Sequence, residues 1–392
     1  MRLSKLAGLL GIILLAACAT EYPQSSIAPT SDFADRIQTL YVQIFIWTMG
    51  ILAVVWAVLA YILIRFRERP DSPEPEQIHG HTGLEIAWTI VPALIVVAIT
   101  VPTIQAVFDT QTPPENAMVV DVIGHQYWWE FRYPQEEGGI ITANELRLPV
   151  DQPIALRIWS TDVIHSFWVP QLGGKRDANP LRQVPEGEEL RYNWIYLTPQ
   201  ETGEFMGQCA EFCGESHSLM GMRVVVETRA EFDSWLDDWR TGHSEVVTQQ
   251  AALREVPDAS ADRFSDEEQV AAIGQDAAAA QTSPQQALIN EGREIFSGAA
   301  GCIVCHAITG NAAANGRVGP DLTLIGRRSR IAAGWLENTP ENLERWITDP
   351  ASVKPGALMP GVDYAAGRPV WPATNLTPEQ VRAVAAYLTS LR

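Results

Sequence analysis

The stretch Cys209-Ala-Glu-Phe-Cys-Gly-Glu-Ser-His-Ser-Leu-Met220 sets two thiols, an imidazole and a thioether on one short loop, at Cys209, Cys213, His217 and Met220. Thiolate and thioether are soft donors, and with imidazole they suit copper far better than calcium or magnesium. One Cys followed by His and Met is the pattern of a mononuclear blue-copper loop. A second Cys four residues earlier changes the count, because two thiolates can bridge two metals. Such a pair needs a further imidazole from elsewhere in the chain, and His165, in Asp162-Val-Ile-His-Ser-Phe-Trp-Val-Pro170, is the best candidate. A disulfide between Cys209 and Cys213, or a structural zinc on those cysteines with His217 and His165, are the alternatives. Neither explains Met220.

A second cluster lies near the other end. Cys302-Ile-Val-Cys-His306 has the spacing by which two thiols add across the vinyl groups of a c-type haem, the following His becoming an axial iron ligand. A dithiol pair has the same five residues. The flanks favour haem: Gly292-Arg-Glu-Ile-Phe296 reads as the helix before the motif and Gly319-Pro-Asp-Leu322 as the loop after it. Met359 is the only Met of this segment and no His follows His306, which leaves Met359 as the second axial ligand.

The elements that must position these groups are legible in outline. At 392 residues the chain has length for two or three domains, and its net charge of -19 argues against nucleic acid as a partner. A basic start, an apolar run from Leu6 to Ala17 and the tetrapeptide Leu15-Ala-Ala-Cys18 read as a signal peptide over residues 1–17. An extracytoplasmic segment, 18–40, follows it. Two apolar runs without charge, Tyr41 to Ile64 and Ile86 to Phe108, each reach the ~20 residues needed to cross ~30 Å of hydrocarbon. Arg65, Arg67 and Arg69 place the connecting loop in the cytoplasm. The expectation is a two-helix transmembrane hairpin over 41–109, with Pro92 and Pro102 tolerated inside it, and His79 and His81 as solvated loop residues.

From Ala117 onward, short runs rich in β-branched and aromatic residues, such as Met118 to Ile123, Ile154 to Trp159 and Met222 to Glu227, predict a small antiparallel sandwich over 117–240. From Glu231 to Ser283 there are twelve acidic and three basic residues, too much charge and too few aromatics for a core. Residues 241–283 are therefore expected to be an acidic flexible linker, spanning roughly 35 Å root-mean-square. Residues 284–392 form the haem segment, closed by a helix that Thr377-Pro-Glu-Gln380 opens as a capping box.

These motifs together resemble subunit II of a bacterial haem–copper cytochrome c oxidase with a fused class I cytochrome c domain. The resemblance covers nearly all of the chain after residue 17. It implies a multidomain membrane protein: a helical hairpin, an all-β cupredoxin domain and an all-α cytochrome c domain. It implies a binuclear copper (CuA) centre bridged by Cys209 and Cys213, with His165, His217 and Met220 as side-chain ligands and Glu211 binding through its carbonyl. The Glu211 carboxylate would share a magnesium ion with subunit I. Covalent haem c would sit on Cys302 and Cys305 with His306 and Met359 axial; separately, Leu15-Ala-Ala-Cys18 resembles the bacterial lipoprotein box, which implies cleavage before Cys18 and a lipid on it, the alternative being an ordinary signal peptide. Glu85, at the start of the second span, would lie at the mouth of a proton pathway, and Gly174 to Arg182 would face subunit I. In Gly124-His-Gln-Tyr-Trp-Trp-Glu-Phe-Arg-Tyr133 the family's electron-receiving ring is usually Trp. This chain has Tyr127 there, with Trp128 beside it as the other candidate.

The implied partners are subunits I and III and an electron donor such as a cytochrome c or a quinol–cytochrome c reductase. The implied location is the bacterial inner membrane, with both redox domains on the periplasmic side. The implied reaction is oxidation of ferrocytochrome c with reduction of oxygen to water, coupled to proton translocation. The copper subunit of a nitric oxide reductase and a tethered electron carrier without an oxidase are the rival readings. Quinol oxidases are disfavoured, because their subunit II lacks the copper ligands kept here.

Overall fold

The computed structural model describes residues 23–67, 79–134, 139–181, 191–252, 283–298, 300–363 and 372–392, together with 70, 74 and 77. The expected signal peptide, Cys18, Arg69, Arg182 and linker residues 253–282 lie outside the described residues.

Two long helices come first, α1 (Asp32–Arg65) and α2 (Thr82–Gln111). Apart from Phe33, which is buried near Gly173, their large apolar side chains are mostly exposed, as suits helices that meet lipid or a partner instead of a core of their own. Both proline positions fall inside α2 without ending it. Ser31 caps α1 by accepting from the Ala34 N–H, and the same hydroxyl donates to the Leu172 carbonyl at 2.7 Å. Arg36 and Asp109 pair at 3.5 Å, so the start of α1 and the end of α2 stand on one side. His81 has a role the sequence did not suggest: exposed, it caps α2 by accepting from the Leu84 N–H at 3.2 Å.

Ten strands follow: β1 (Met118–His125), β2 (Trp128–Arg132), β3 (Ile141–Ala143), β4 (Glu145–Pro149), β5 (Ile154–Ser160), β6 (His165–Trp168), β7 (Arg176–Ala178), β8 (Asn193–Leu197), β9 (Gly203–Cys209) and β10 (Gly221–Glu227). They form two five-stranded sheets, ordered β3-β2-β1-β5-β8 and β4-β10-β9-β6-β7. Alternation puts Met222, Val224 and Val226 of β10 inward, and they share a core with Val120, Val122, Phe131, Leu146 and Leu156 between the sheets. The expected sandwich is present, but it is mixed and not antiparallel. β1 pairs with β5, and β4 with β10, in parallel. In each case the chain passes through other strands before returning, which brings the partner back in the same direction.

α3 (Arg229–Ala252) corrects the expected linker boundary, because residues 242–252 continue a helix. The acidic surface masks a stripe of buried residues at helical spacing, Phe232, Leu236, Trp239, Val246 and Gln250. The first part of the stripe packs on the β domain, with Tyr133 and Trp235 rings 5.3 Å apart. The far end meets the C-terminal domain, where Gln250 Nε2 donates to the Tyr387 hydroxyl at 3.2 Å.

That last domain holds α4 (Pro284–Ser297), α5 (Pro340–Thr348), α6 (Pro350–Val353) and α7 (Pro378–Ser390). Each opens with a capping side chain, from Ser283, Thr339, Asp349 and Thr377, followed by Pro. At Thr377 both halves of the expected capping box are made. α4 crosses α7 at Gly292, where a Cβ would lie 1.9 Å from the Ala383 carbonyl oxygen. Only glycine lets the two backbones meet this closely.

Candidate metal centre and haem cleft

The two sheets deliver the sulfur and nitrogen donors to one end of the sandwich. His165 opens β6, Cys209 closes β9, and the loop carrying Cys213, His217 and Met220 returns into β10. The Cys209 N–H donates to the Met220 carbonyl at 3.0 Å and closes that loop. Cys209 Sγ lies 3.9 Å from Cys213 Sγ and 3.9 Å from His165 Nδ1. Cys213 Sγ lies 3.7 Å from His217 Nδ1 and 3.9 Å from Met220 Sδ. The Glu211 carbonyl is 3.2 Å from Cys209 Sγ, and its carboxylate faces outward on an exposed residue.

A sulfur separation of 3.9 Å is nearly twice a disulfide bond, so the pair is not oxidised here. Two metal–sulfur bonds of ~2.3 Å reach sulfurs up to ~4.6 Å apart, so one metal can bond both thiols, and a second metal can do so from the other side. The imidazoles of His165 and His217, the Met220 thioether and the Glu211 carbonyl would complete the ligand sets of such a pair. This donor set fits soft copper, and the thioether has no place in a zinc site.

The two thiols are poised unequally. A hydrogen bond from Cys213 holds the Cys209 thiol far below its usual range against the cost of burial. The same contact pushes Cys213 up, because a second charge beside the first is unfavourable. A metal binds thiolates, so its binding releases the thiol protons.

Asp162, to which sequence reasoning assigned no role, aims His165. Its carboxylate is 2.8 Å from His165 Nε2, which leaves Nδ1 toward Cys209. Burial opposes its charge, but bonds from His165 and from the Gln126 and Val163 N–H groups hold it below the ordinary carboxylate range. Burial likewise opposes a proton on His165, and Asp162 and Cys209 more than offset it, so its pKa rises. The Gln126 side chain also donates to the Cys213 carbonyl at 2.6 Å, and the Trp129 ring meets the His165 ring edge-on at 5.9 Å. The carboxylate three residues before the candidate ligand His165 was the one local sign of this arrangement.

The haem-type motif lines an apolar cleft with Cys302, Cys305, His306 and Met359 at its walls. The cysteines are free, and burial raises both thiols, Cys302 to about 11. His306 Nδ1 is bonded to the Pro320 carbonyl at 2.8 Å, so Nε2 is left for the cleft. Burial holds this imidazole neutral, as an iron ligand must be. At Gly319 a Cβ would lie 2.4 Å from His306 Cε1, so the wall is shaped to the ring. The residues fit a covalently held haem.

The cleft is shared between domains. Tyr127 and Trp128 of the β domain also line it, and they are only 8% and 7% exposed. The Trp128 indole N–H donates to the Val318 carbonyl at 3.3 Å, and its ring stacks on His125 at 4.2 Å. The Tyr127 hydroxyl accepts from the Glu215 N–H at 3.2 Å. Glu85 stands apart, exposed in the first turn of α2, at the end away from the β domain.

Comparison with known proteins agrees with this organisation. The family profile for the transmembrane domain of cytochrome c oxidase subunit II matches residues 21–106, and that for its periplasmic domain matches residues 139–228. The cytochrome c profile matches residues 289–392. Cytochrome c oxidase subunit 2 of Alkalihalophilus pseudofirmus is 33% identical over 387 residues, covering 97% of this chain and 94% of the relative. The same subunit of Bacillus sp. (strain PS3) is 32% identical over 407 residues, covering 100% of this chain and 97% of the relative. Quinol oxidase subunit 2 of Bacillus cereus is 31% identical over 242 residues, covering 60% of this chain and 79% of that protein.

Proposed function

Because the chain belongs to the cytochrome c oxidase subunit II family, we propose that it carries electrons from its own haem domain, through a binuclear copper centre, to subunit I of a respiratory oxidase. There oxygen is reduced to water with proton translocation. The observation that carries this reading is the donor cluster: two sulfurs 3.9 Å apart, flanked by His165, His217 and Met220, beside a cleft built from Cys302, Cys305, His306 and Met359.

Copper and haem, when bound, would supply one-electron carriers. Cys209, Cys213, His165, His217, Met220 and the Glu211 carbonyl would hold the copper, and Asp162 keeps His165 in the tautomer that ligates through Nδ1. Buried surroundings exclude water from both thiols, which limits their oxidation. The Glu211 carboxylate, on an exposed residue, would share a magnesium ion with subunit I, and Glu85, exposed in the first turn of α2, would open a proton path into that partner. The two apolar helices anchor the chain in the inner membrane with both redox domains on the periplasmic side. The thiol pair favours cytochrome c over quinol as the ultimate donor.

The test is to purify the native complex, count its metals and follow oxygen uptake with reduced cytochrome c. Two coppers and one covalent haem on this subunit, with donor-dependent oxygen uptake, are expected. Consumption of nitric oxide instead of oxygen, or no gas consumption and no large haem–copper partner, would overturn the proposal.

A further inference from the structure

We infer that Lys354-Pro355-Gly356 is a docking hook: three consecutive residues that seat the haem domain on the copper loop and fix the spacing between the Met359 and His217 ligand positions. The inference rests on the functional reading above for the two redox groups, but its contacts are made by the protein alone.

Each residue of the hook engages the β domain. The Lys354 ammonium, on a residue only 4% exposed, donates to the backbone carbonyl of Tyr127. The Pro355 carbonyl accepts from the hydroxyl of Ser216, the residue immediately before His217. Gly356 has φ +87°, and a Cβ there would lie 2.9 Å from both Glu215 Cβ and Ser216 Oγ, and 3.0 Å from Ser216 N. The two loops therefore meet backbone to backbone, and no side chain fits between them.

The placement is costly, and that cost is informative. Among the described residues no carboxylate pairs with Lys354, so its ammonium is buried against a carbonyl, and burial pulls its pKa down to about 7. An apolar residue of similar length would fill the same space with less penalty. What a lysine adds is a directional bond that fixes register. Its position makes register matter: the hook ends three residues before Met359 and touches the residue before His217. A slip at this seam moves one ligand loop against the other. Of the other bonds between the domains, Ser329 Oγ to Glu145 at 2.9 Å joins neither ligand loop, and the Trp335 indole N–H reaches the Leu219 carbonyl at 2.9 Å from outside the Met359 loop.

The hook is a positioning device and takes no part in the chemistry. In the transfer it would serve, a haem held at His306 and Met359 would give up one electron and a copper pair held at Cys209 and Cys213 would take up that electron. No bond is made and no proton moves through Lys354.

The test uses the complete complex with haem and copper loaded. Two quantities are read: the dipolar distance between oxidised haem and the copper pair, and the first-order haem-to-copper rate after flash reduction. Lys354→Met and Gly356→Val should broaden the distance distribution and slow the rate by roughly tenfold or more. Copper content, haem spectrum and bimolecular reduction of the haem by an external donor should stay as in the parent. Lys354→Gln, which keeps a donor for the Tyr127 carbonyl, should recover part of the loss, and Ser329→Ala should change neither quantity. A narrow, unshifted distance and parental rate in Lys354→Met would overturn the hook. An equal loss in Ser329→Ala would overturn it too, by assigning docking to the whole interface. Hydrogen exchange at the Glu215 and Ser216 amides, faster in Lys354→Met than in the parent, reads the hook without either metal. Failure of the functional reading would leave that signal intact.

Discussion

Removing the Asp162 carboxylate should weaken copper binding without touching a ligand. This group accepts from His165 Nε2 at 2.8 Å, from the Gln126 N–H at 2.7 Å and from the Val163 N–H at 2.6 Å. Loss of the partner that orients a ligating His commonly costs about 10–100-fold in metal affinity, which is roughly 1.4–2.7 kcal/mol. Asp162→Ala should fall near the upper end for two reasons. His165 loses the acceptor that fixes its tautomer, and Gln126 loses the anchor from which its side chain reaches the Cys213 carbonyl. Asp162→Asn keeps an acceptor oxygen but no charge, so it should lie near tenfold. The assay is competitive copper titration of the metal-free full-length chain, followed by the thiolate-to-copper absorption. Affinity within about threefold of the parent in Asp162→Ala would refute the claim that this carboxylate sets the site.

Cys213→Ser should abolish the two-metal site and not merely weaken it, because a hydroxyl is a hard and poorly ionised donor; metal analysis should find fewer than two coppers per chain. Docking of the haem domain should tighten as pH rises from about 7 toward 10.5. A lysine whose pKa is depressed on docking binds fewer protons docked than free in that window, so raising the pH favours the docked form, and below about 7 the penalty stays constant. Hydrogen exchange at the 215–216 amides across that range checks the sign. Tyr127→Phe removes the hydroxyl that accepts from the Glu215 N–H and should keep most of the haem-to-copper rate with full copper content. A loss of about a hundredfold in Tyr127→Leu with intact copper, about 2.7 kcal/mol of barrier, would instead make this ring the required relay. Mass spectrometry of the mature N-terminal peptide should find a lipid on Cys18, and an unmodified thiol there would remove that expectation.

What could be read from the sequence was what chemistry compresses into short spacings. Cys209 to Met220 and Cys302 to His306 carry their donors within a few residues of one another, and the two apolar runs and the Thr377 capping box are equally local. What escaped was whatever depends on residues far apart. The bond from Lys354 to Tyr127 joins positions 227 residues apart, and no periodicity announces it. The parallel pairing of β1 with β5 is set by how the chain crosses over, not by the alternation of either strand. α3 was misread for a different reason. Its exposed acidic residues dominate the composition, while the few buried ones, Val246 and Gln250 among them, find their partners only once the haem domain folds beside them. Asp162 stood within sight of His165, but a carboxylate at that spacing is common and becomes meaningful only when the strand and loop aim it.

The length of α1 sets an altitude. Its 34 residues make a rod of about 51 Å at ~1.5 Å per residue, whereas the charge-free run begins only at Tyr41. Residues 32–40 therefore form a rigid stalk of about 14 Å above the hydrocarbon boundary. Hydrogen bonds from the Thr198 N–H to the Asp32 carboxylate and from the Ser31 hydroxyl to the Leu172 carbonyl weld the top of that stalk to the sandwich. The copper end is thus carried at a fixed height, like an instrument on a mast. A helical turn inserted or deleted between residues 36 and 41 would raise or lower the whole domain by about 5.4 Å against anything seated beneath it.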